Sequence, residues 1–251
     1  MAASKRSLDI LDIPAPKADS RIAYGSDPLQ FADLRSPVGS GRGLTVIYIH
    51  GGFWKAAYNL DHAGHVCAAL THAGAVTWNL EYRRIGNPGG GWPGTCDDIQ
   101  QAARFIAART KDPIVVAGHS AGGHLALWLA AQKAIKLRGA VSLAGVADLR
   151  LAWDRKLSDG IVGTFLGGSP EEVPDRYKAA DPMALLPIAV KQRLVHGTED
   201  DIVPFEISER FAKASRNAQL IPVRGAGHFE LVDPRTEEWK VVEKAILWTS
   251  D

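Results

Sequence analysis

The protein has 251 residues, of which 46% are hydrophobic, and a formal net charge of +1. This size and composition suit one α/β domain with a full hydrophobic core. The balanced charge and the lack of Lys and Arg runs exclude a polyanionic partner such as nucleic acid. No apolar stretch approaches the roughly 18 residues of a membrane span, so no membrane partner is expected.

The N-terminus and the cysteines point to the cytoplasm. The first 20 residues, MAASKRSLDILDIPAPKADS, lack the apolar region of a secretory signal peptide. Cys67 and Cys96 are the only cysteines, and they do not have the spacing of metal ligands. We therefore expect two free thiols in a reducing compartment rather than a disulfide.

Apolar runs of strand length alternate with helical patterns from about residue 44 onward. Most runs are apolar almost throughout, as in strands that helices cover on both faces of a parallel sheet. Two earlier segments, RIAYG and LQFADLRS, could form an antiparallel pair at one edge. Together these features predict an α/β fold with a doubly wound, mostly parallel eight-stranded sheet flanked by helices. The six later runs are LTVIYI (44–49), AVTWNLEY (75–82), PIVVAG (113–118), GAVSLAG (139–145), RLVHG (193–197) and QLIPV (219–223).

One connection is longer than the others. Residues 146–190 place about 45 residues between two predicted strands and are rich in Pro, Gly and charged side chains. Such an insertion near the carboxyl edge of a sheet is often a lid or a wall of a substrate pocket. We expect residues 1–251 to form a single domain, with 146–190 as a small cap-like insert.

The segment VVAGHSAGGH (115–124) carries the clearest functional signal. It places Gly118, Ser120 and Gly122 in a G-x-S-x-G pattern between an apolar strand and a helix that is apolar nearly all round. An abrupt turn from strand to helix strains its central residue, and it requires small residues two positions to either side. The helix N-terminus beneath the serine favours developing negative charge. We therefore predict that Ser120 is a catalytic nucleophile.

A serine nucleophile needs a base, and the base needs an acid to orient it. In this type of fold the order along the chain is serine, acid, histidine, each after a later strand. The segment RLVHGTEDDIVP supplies Glu199, Asp200 and Asp201, and LIPVRGAGHFE supplies His228. We expect Asp200 to be the acid, with Glu199 as the second choice, and His228 to be the base.

These motifs together resemble the α/β-hydrolase superfamily, and most of all its HGG-type serine esterases, which include the kynurenine formamidase-like group. The resemblance covers nearly the whole chain and implies that Ser120, Asp200 and His228 are nucleophile, acid and base. It is specific for the superfamily and less so for the substrate. The segments that carry it are HGGFW (50–54), GHSAG (118–122), HGTEDDIVP (196–204) and GAGHFE (225–230).

The resemblance also implies an oxyanion hole. It maps onto the backbone N–H groups of Gly52, Phe53 and Ala121. Phe53 stands where the HGGG form of the motif has glycine, which keeps the backbone donor but narrows the space beside it. We expect Trp54, directly after this loop, and His119, beside the serine, to contact the substrate.

The predicted function is that of a serine hydrolase that cleaves small carboxylic esters through an acyl-enzyme intermediate. The expected partner is a small-molecule ester or amide, and no cofactor is expected. No metal site is expected either, because His62 and His65 have no third ligand at metal spacing. Two alternatives remain open: an arylformamidase acting on N-formylkynurenine, and a non-catalytic ligand-binding member of the fold.

Overall fold

The computed structural model describes residues 9–248, and a single eight-stranded sheet runs through them. The strands are β1 (Ser20–Ala23), β2 (Phe31–Arg35), β3 (Thr45–Ile49), β4 (Val76–Leu80), β5 (Ile114–His119), β6 (Gly139–Leu143), β7 (Gln192–Gly197) and β8 (Ala218–Val223). Their order is β1-β2-β4-β3-β5-β6-β7-β8. The β1–β2 and β2–β4 pairs are antiparallel and all the other pairs are parallel. The predicted mostly parallel eight-stranded sheet with an antiparallel edge is therefore confirmed.

Helices follow the strands as a doubly wound fold requires. The α-helices in the described part of the chain are α1 (Gly64–His72), α2 (Gly94–Ala107), α3 (Ala121–Gln132), α4 (Leu149–Asp154), α5 (Leu157–Leu166), α6 (Pro174–Ala180), α7 (Phe205–Ala214) and α8 (Trp239–Ile246). Short 3-10 turns lie at Asp9–Leu11, Asp61–Ala63 and Glu230–Val232. Residues 121–130 of α3 are all buried, as the apolar pattern of that helix predicts.

The sheet separates two hydrophobic clusters because side chains alternate between its faces. On β3, Tyr48 packs into the cluster that contains Val66 of α1 and Val242 of α8. Ile49 packs into the opposite cluster with Ala102 of α2 and with residues of α3. The central strands are thus covered on both faces, which explains why their sequences are apolar almost throughout.

The insertion at 146–190 is folded into the core. It contains α4, α5 and α6, and Phe165 of α5 is buried against the loop that follows β3. The Phe165 ring stacks on Trp54 with 4.7 Å between the ring centroids. Its carbonyl oxygen accepts a hydrogen bond from the Trp92 N–H at 2.9 Å. The insertion therefore packs against the loop after β3 on the side of the core.

Both cysteines lie in the core as free thiols, in agreement with the sequence. Burial raises the pKa of Cys67 to about 12, so this thiol stays protonated and unreactive near neutral pH. Among the helices within residues 9–248, none is long and apolar enough to cross a membrane.

Candidate active site

Ser120 occupies a strained turn between β5 and α3. Its backbone has φ 55° and ψ −120°, a conformation that a residue other than glycine rarely adopts. A Cβ atom on Gly118 would lie 2.2 Å from the Gly122 carbonyl oxygen, and one on Gly122 would lie 2.0 Å from the Ile49 carbonyl oxygen. Both glycines of the G-x-S-x-G motif are thus required by close backbone packing, and the turn holds Ser120 at the carboxyl edge of the sheet.

Asp200 and His228 form a hydrogen-bonded pair beside this turn. Asp200 follows β7, His228 follows β8, and His228 Nδ1 lies 2.7 Å from Asp200 Oδ2. The neighbouring acids Glu199 and Asp201 are exposed, whereas the Asp200 side chain is fully buried. Of the three acids that the sequence offers, Asp200 is therefore the one that the fold brings to His228.

The surroundings of Asp200 keep its carboxylate ionised. Oδ1 accepts hydrogen bonds from the N–H groups of Ile202 and Val203 at 2.9 and 2.8 Å. Burial alone would raise the pKa of Asp200, but hydrogen bonds from His196 and His228 hold it well below its usual value. The ionised carboxylate accepts the Nδ1–H of His228, so the other ring nitrogen, Nε2, is left to act as a base.

Ser120 and His228 line one small pocket of about 80 Å³. Within the described chain no hydrogen bond joins the serine hydroxyl to the histidine ring. Such bonds are often long in unliganded hydrolases and shorten when the substrate binds. The sequence-predicted residues that line this pocket are Gly52, Phe53, His119, Ser120 and His228.

The loop after β3 packs directly against the serine turn. A Cβ on Gly51 would lie 2.9 Å from the His119 carbonyl oxygen and 3.1 Å from Ser120 Cβ. Gly52 has φ 104° and Phe53 has φ 52°, so the backbone runs through the left-handed region as it passes the serine. Glycine takes up this conformation without strain, but Phe53 does not. Backbone strain of this kind is concentrated at functional sites, so we expect the loop to have a function.

Three backbone N–H groups at this junction form no hydrogen bond with any residue in the 9–248 range. They belong to Gly52, Phe53 and Ala121, the residues that the resemblance assigned to an oxyanion hole. Ala121 begins α3, where the first N–H groups have no partner within the helix. Gly52 and Phe53 line the same pocket as Ser120, so their N–H groups are candidates for the donors that stabilise an oxyanion.

A buried polar network holds this loop from behind. His50 Nδ1 lies 2.8 Å from the Gly51 carbonyl oxygen, and His50 Nε2 lies 3.2 Å from Glu81 Oε1. Glu81 also pairs with Arg84, and the Tyr82 hydroxyl donates to the His50 carbonyl oxygen at 2.9 Å. Burial alone would raise the pKa of Glu81, but the His50 hydrogen bond and the Arg84 charge hold it below its usual value. His50 thus anchors the loop and lies outside the pocket.

His119 lines the pocket and also contacts the loop that carries His228. Its Nε2 lies 3.0 Å from the His228 carbonyl oxygen. Burial, together with the nearby His228 ring, lowers the pKa of His119 well below its usual value. His119 is therefore neutral near pH 7, and Nε2–H donates to the carbonyl oxygen.

The structure corrects the expectation for Trp54. Its side chain is completely buried, stacks on Phe165 and meets the edge of His124 at a centroid distance of 5.3 Å. Trp54 does not line the pocket, because its ring is packed in the core beneath the loop. Residues 146–190 do not line it either, so the expected substrate wall is supplied from elsewhere.

Sequence reasoning missed several residues around this site. His196, at the end of β7, is fully buried and places Nε2 3.3 Å from Asp200 Oδ2. A histidine at the end of a buried strand, four residues before the predicted acid, was a usable signal. Leu11 lines the pocket from the N-terminal segment, and no pattern in the sequence indicates this.

Within the part of the chain that the structure describes, no group of three His, Cys, Asp or Glu side chains could hold a metal.

Comparison with known proteins places this chain in a family. The BD-FAE family model matches residues 33–214. The chain is 24% identical to a kynurenine formamidase of Danio rerio over 90% of this chain and 80% of that one. It is also 24% identical to esterase LipC of Mycobacterium tuberculosis over 85% of this chain, and the match spans only 60% of LipC. A solved structure of a truncated carbohydrate esterase from gut microbiota superimposes with a TM-score of 0.78 at 21% identity, covering 94% of this chain and 98% of that one. The chain belongs to the BD-FAE family, in the esterase and formamidase group of the α/β-hydrolases.

Proposed function

We propose that this protein is a serine hydrolase that cleaves small carboxylic esters through an acyl-enzyme intermediate. The observation that carries the proposal is the 2.7 Å contact between His228 Nδ1 and Asp200 Oδ2, with His228 and Ser120 on one pocket. A histidine oriented by a buried carboxylate next to a serine on a strained strand-to-helix turn is the arrangement that activates a serine hydroxyl.

The reaction proceeds in two steps. His228 Nε2 takes the proton from the Ser120 hydroxyl as its oxygen attacks the ester carbonyl, while Asp200 stabilises the imidazolium that forms. The N–H groups of Gly52, Phe53 and Ala121 hold the oxyanion. His228 then protonates the leaving alcohol, and a water molecule releases the acyl group by the same route. These side chains supply nucleophile, base and acid, so the proposed reaction uses no cofactor.

The size of the pocket favours a small substrate. Its volume of about 80 Å³ is well below the roughly 300–1,000 Å³ that is typical of pockets for drug-sized ligands. Phe53 and Phe229 contribute apolar walls, which suit a short acyl group better than a charged one. The names of two relatives, esterase LipC and the gut carbohydrate esterase, agree with ester hydrolysis.

Hydrolysis of p-nitrophenyl acetate tests this proposal. The wild-type protein is expected to release p-nitrophenol with saturation kinetics, and Ser120→Ala is expected to lower kcat by at least about 10³-fold because the nucleophile is lost. Ser169→Ala, at a half-buried serine of the 146–190 insertion that does not line the pocket, is the matched control and should keep the wild-type rate. Equal rates for Ser120→Ala and the wild type would refute the proposal.

A second candidate function is that of an arylformamidase acting on N-formylkynurenine. The small pocket has room for a formyl group, and the kynurenine formamidase of Danio rerio matches 90% of this chain. The same nucleophile, base and oxyanion donors would serve for this amide. The two candidates are separated by comparing kcat/KM for N-formylkynurenine and p-nitrophenyl acetate on one preparation. A value for the formamide far below that for the ester would rule out the second candidate.

A further inference from the structure

The N-terminal segment at 9–18 reaches the catalytic pocket. Leu11 lines the same pocket as Ser120 and His228, although more than 100 residues separate it from either in the sequence. It is one of the few large hydrophobic side chains that stay exposed, at 39% of its surface. An exposed leucine at the rim of an apolar pocket is placed to contact whatever enters it.

Hydrogen bonds fix the segment that carries Leu11. The Ile13 carbonyl oxygen lies 3.0 Å from His65 Nε2. The Pro16 carbonyl oxygen accepts a hydrogen bond from Arg35 Nη2 at 2.7 Å, and Arg35 is almost entirely buried. A hydrogen bond from a charged donor is stronger than one between neutral groups. The segment is therefore attached at two points just beyond Leu11, which hold its side chain at the pocket.

Leu11 also lines a second, larger space next to the catalytic pocket. A second cavity of about 460 Å³, open to solvent, lies along the N-terminal segment and is also lined by residues such as Asp33, Arg35 and Leu60. Leu11 and His62 line both this cavity and the pocket of about 80 Å³. These two side chains are thus common to the narrow catalytic pocket and to a space several times its volume.

We propose that Leu11 is a specificity-determining residue that restricts the enzyme to esters with short acyl groups. The inference rests on the proposed esterase function. The leucine side chain blocks the way from the serine into the larger cavity, so an acyl chain longer than the pocket meets it. A smaller side chain at position 11 opens that way and lets longer acyl groups bind productively.

The test compares kcat/KM for p-nitrophenyl acetate, butyrate and hexanoate in the wild type, Leu11→Ala, Leu11→Phe and Ile13→Ala. Ile13 is the matched control, since it lies on the same segment, has a similar exposure of 37%, and lines only the larger cavity. Leu11→Ala is expected to raise the ratio of kcat/KM for hexanoate to kcat/KM for acetate about tenfold or more. The reason is that a single methylene in an apolar pocket changes discrimination between substrates by about 10-fold to 200-fold. Leu11→Phe should lower the same ratio, and Ile13→Ala should leave it within about twofold of the wild type.

The outcomes separate the two proposals. If the protein hydrolyses the esters through Ser120 but the hexanoate-to-acetate ratio of kcat/KM is the same with alanine and with leucine at position 11, the role of Leu11 is overturned and the proposed esterase function stands. A wild-type enzyme that hydrolyses all three esters equally well would also overturn the role of Leu11. If no variant, including the wild type, hydrolyses any of the esters, the proposed function fails and the role of Leu11 fails with it.

Discussion

His119 Nε2 lies 3.0 Å from the carbonyl oxygen of His228, so the residue just before the proposed nucleophile holds the loop that carries the proposed base. The two residues are 109 positions apart in the sequence, on loops that follow different strands. Because burial keeps His119 neutral, its Nε2–H is a constant donor across the neutral pH range. The contact fixes the backbone of His228 relative to the serine turn.

Loss of this contact is expected to slow catalysis. His119→Ala frees the backbone at His228, and a displacement of about 1 Å at a catalytic group can cost about a hundredfold in rate. We expect kcat to fall by roughly this factor on p-nitrophenyl acetate. His119→Gln keeps a side-chain N–H donor and should recover part of the loss. Steady-state kinetics on both variants checks this, and an alanine variant with unchanged kcat would show that the contact does not position the base.

His196 is expected to position Asp200. Its ring is fully buried, and its Nδ1 lies 2.7 Å from Ser208 Oγ. Its Nε2 lies 2.9 Å from the Val203 carbonyl oxygen and 3.3 Å from Asp200 Oδ2. His196→Phe keeps an aromatic ring but removes both hydrogen-bonding nitrogens. Loss of a hydrogen bond to a charged group costs about 1.5–3 kcal/mol, so we expect a less stable protein with a lower kcat and a KM close to that of the wild type.

Urea unfolding and steady-state kinetics measure the two effects of His196→Phe. Ser208→Ala is the matched control, because it removes the partner of Nδ1 and leaves the contact of Nε2 with Asp200. Its kcat should stay closer to that of the wild type than the kcat of His196→Phe does. A His196→Phe protein that is less stable but has an unchanged kcat would assign His196 a packing role only.

Trp54 is expected to matter for stability and not for substrate choice. Trp54→Ala removes a fully buried ring that stacks on Phe165, and such truncations cost about 3–5 kcal/mol. Trp54→Phe keeps a stacked ring, and the indole N–H that it removes has no hydrogen-bond partner within residues 9–248. Urea denaturation should therefore show a much smaller loss for phenylalanine. A folded Trp54→Phe protein with a changed acyl-chain preference would contradict the placement of this side chain outside the pocket.

The buried carboxyl of Asp181 predicts a dependence of stability on pH. Burial, aided by the nearby charge of Asp148, raises the pKa of Asp181 to about 6 in the folded protein. This pKa is above the usual value of 3.8, so the protonated carboxyl group favours the folded state. Its contribution to the free energy of unfolding is complete below about pH 3.8 and is lost as the pH rises through about 6. Ionisation of Asp181 therefore weakens the fold at neutral pH.

Asp181→Asn removes this ionisation. The free energy of unfolding of the variant minus that of the wild type should increase by about 1 kcal/mol from pH 5 to pH 8, because only the wild type loses stability over this range. Urea unfolding at both pH values measures this change. Asp175→Asn, on the exposed surface of α6, is the control and should show no such change. Equal differences at pH 5 and pH 8 for Asp181→Asn would contradict the raised pKa.

The fold was predictable because its signals are local. The apolar runs marked the central strands, and the glycines around Ser120 marked the turn, since each follows from packing within a few residues. Trp54 and Leu11 were not predictable in the same way. The direction of the Trp54 ring depends on its packing against Phe165, which is distant in the sequence. The place of Leu11 depends on how the N-terminal segment is bound to Arg35 and His65.

The central claim is that Ser120 is an activated nucleophile, and a fluorophosphonate probe tests it most directly. Such a probe phosphonylates a serine only where a base and oxyanion donors activate it, and mass spectrometry of the intact protein and its peptides locates the adduct. We predict one adduct on Ser120 in the wild type and in Ser169→Ala, and none in Ser120→Ala. A wild-type protein that is not labelled, or a Ser120→Ala protein labelled at the wild-type rate, would contradict the claim and favour a ligand-binding protein without catalysis.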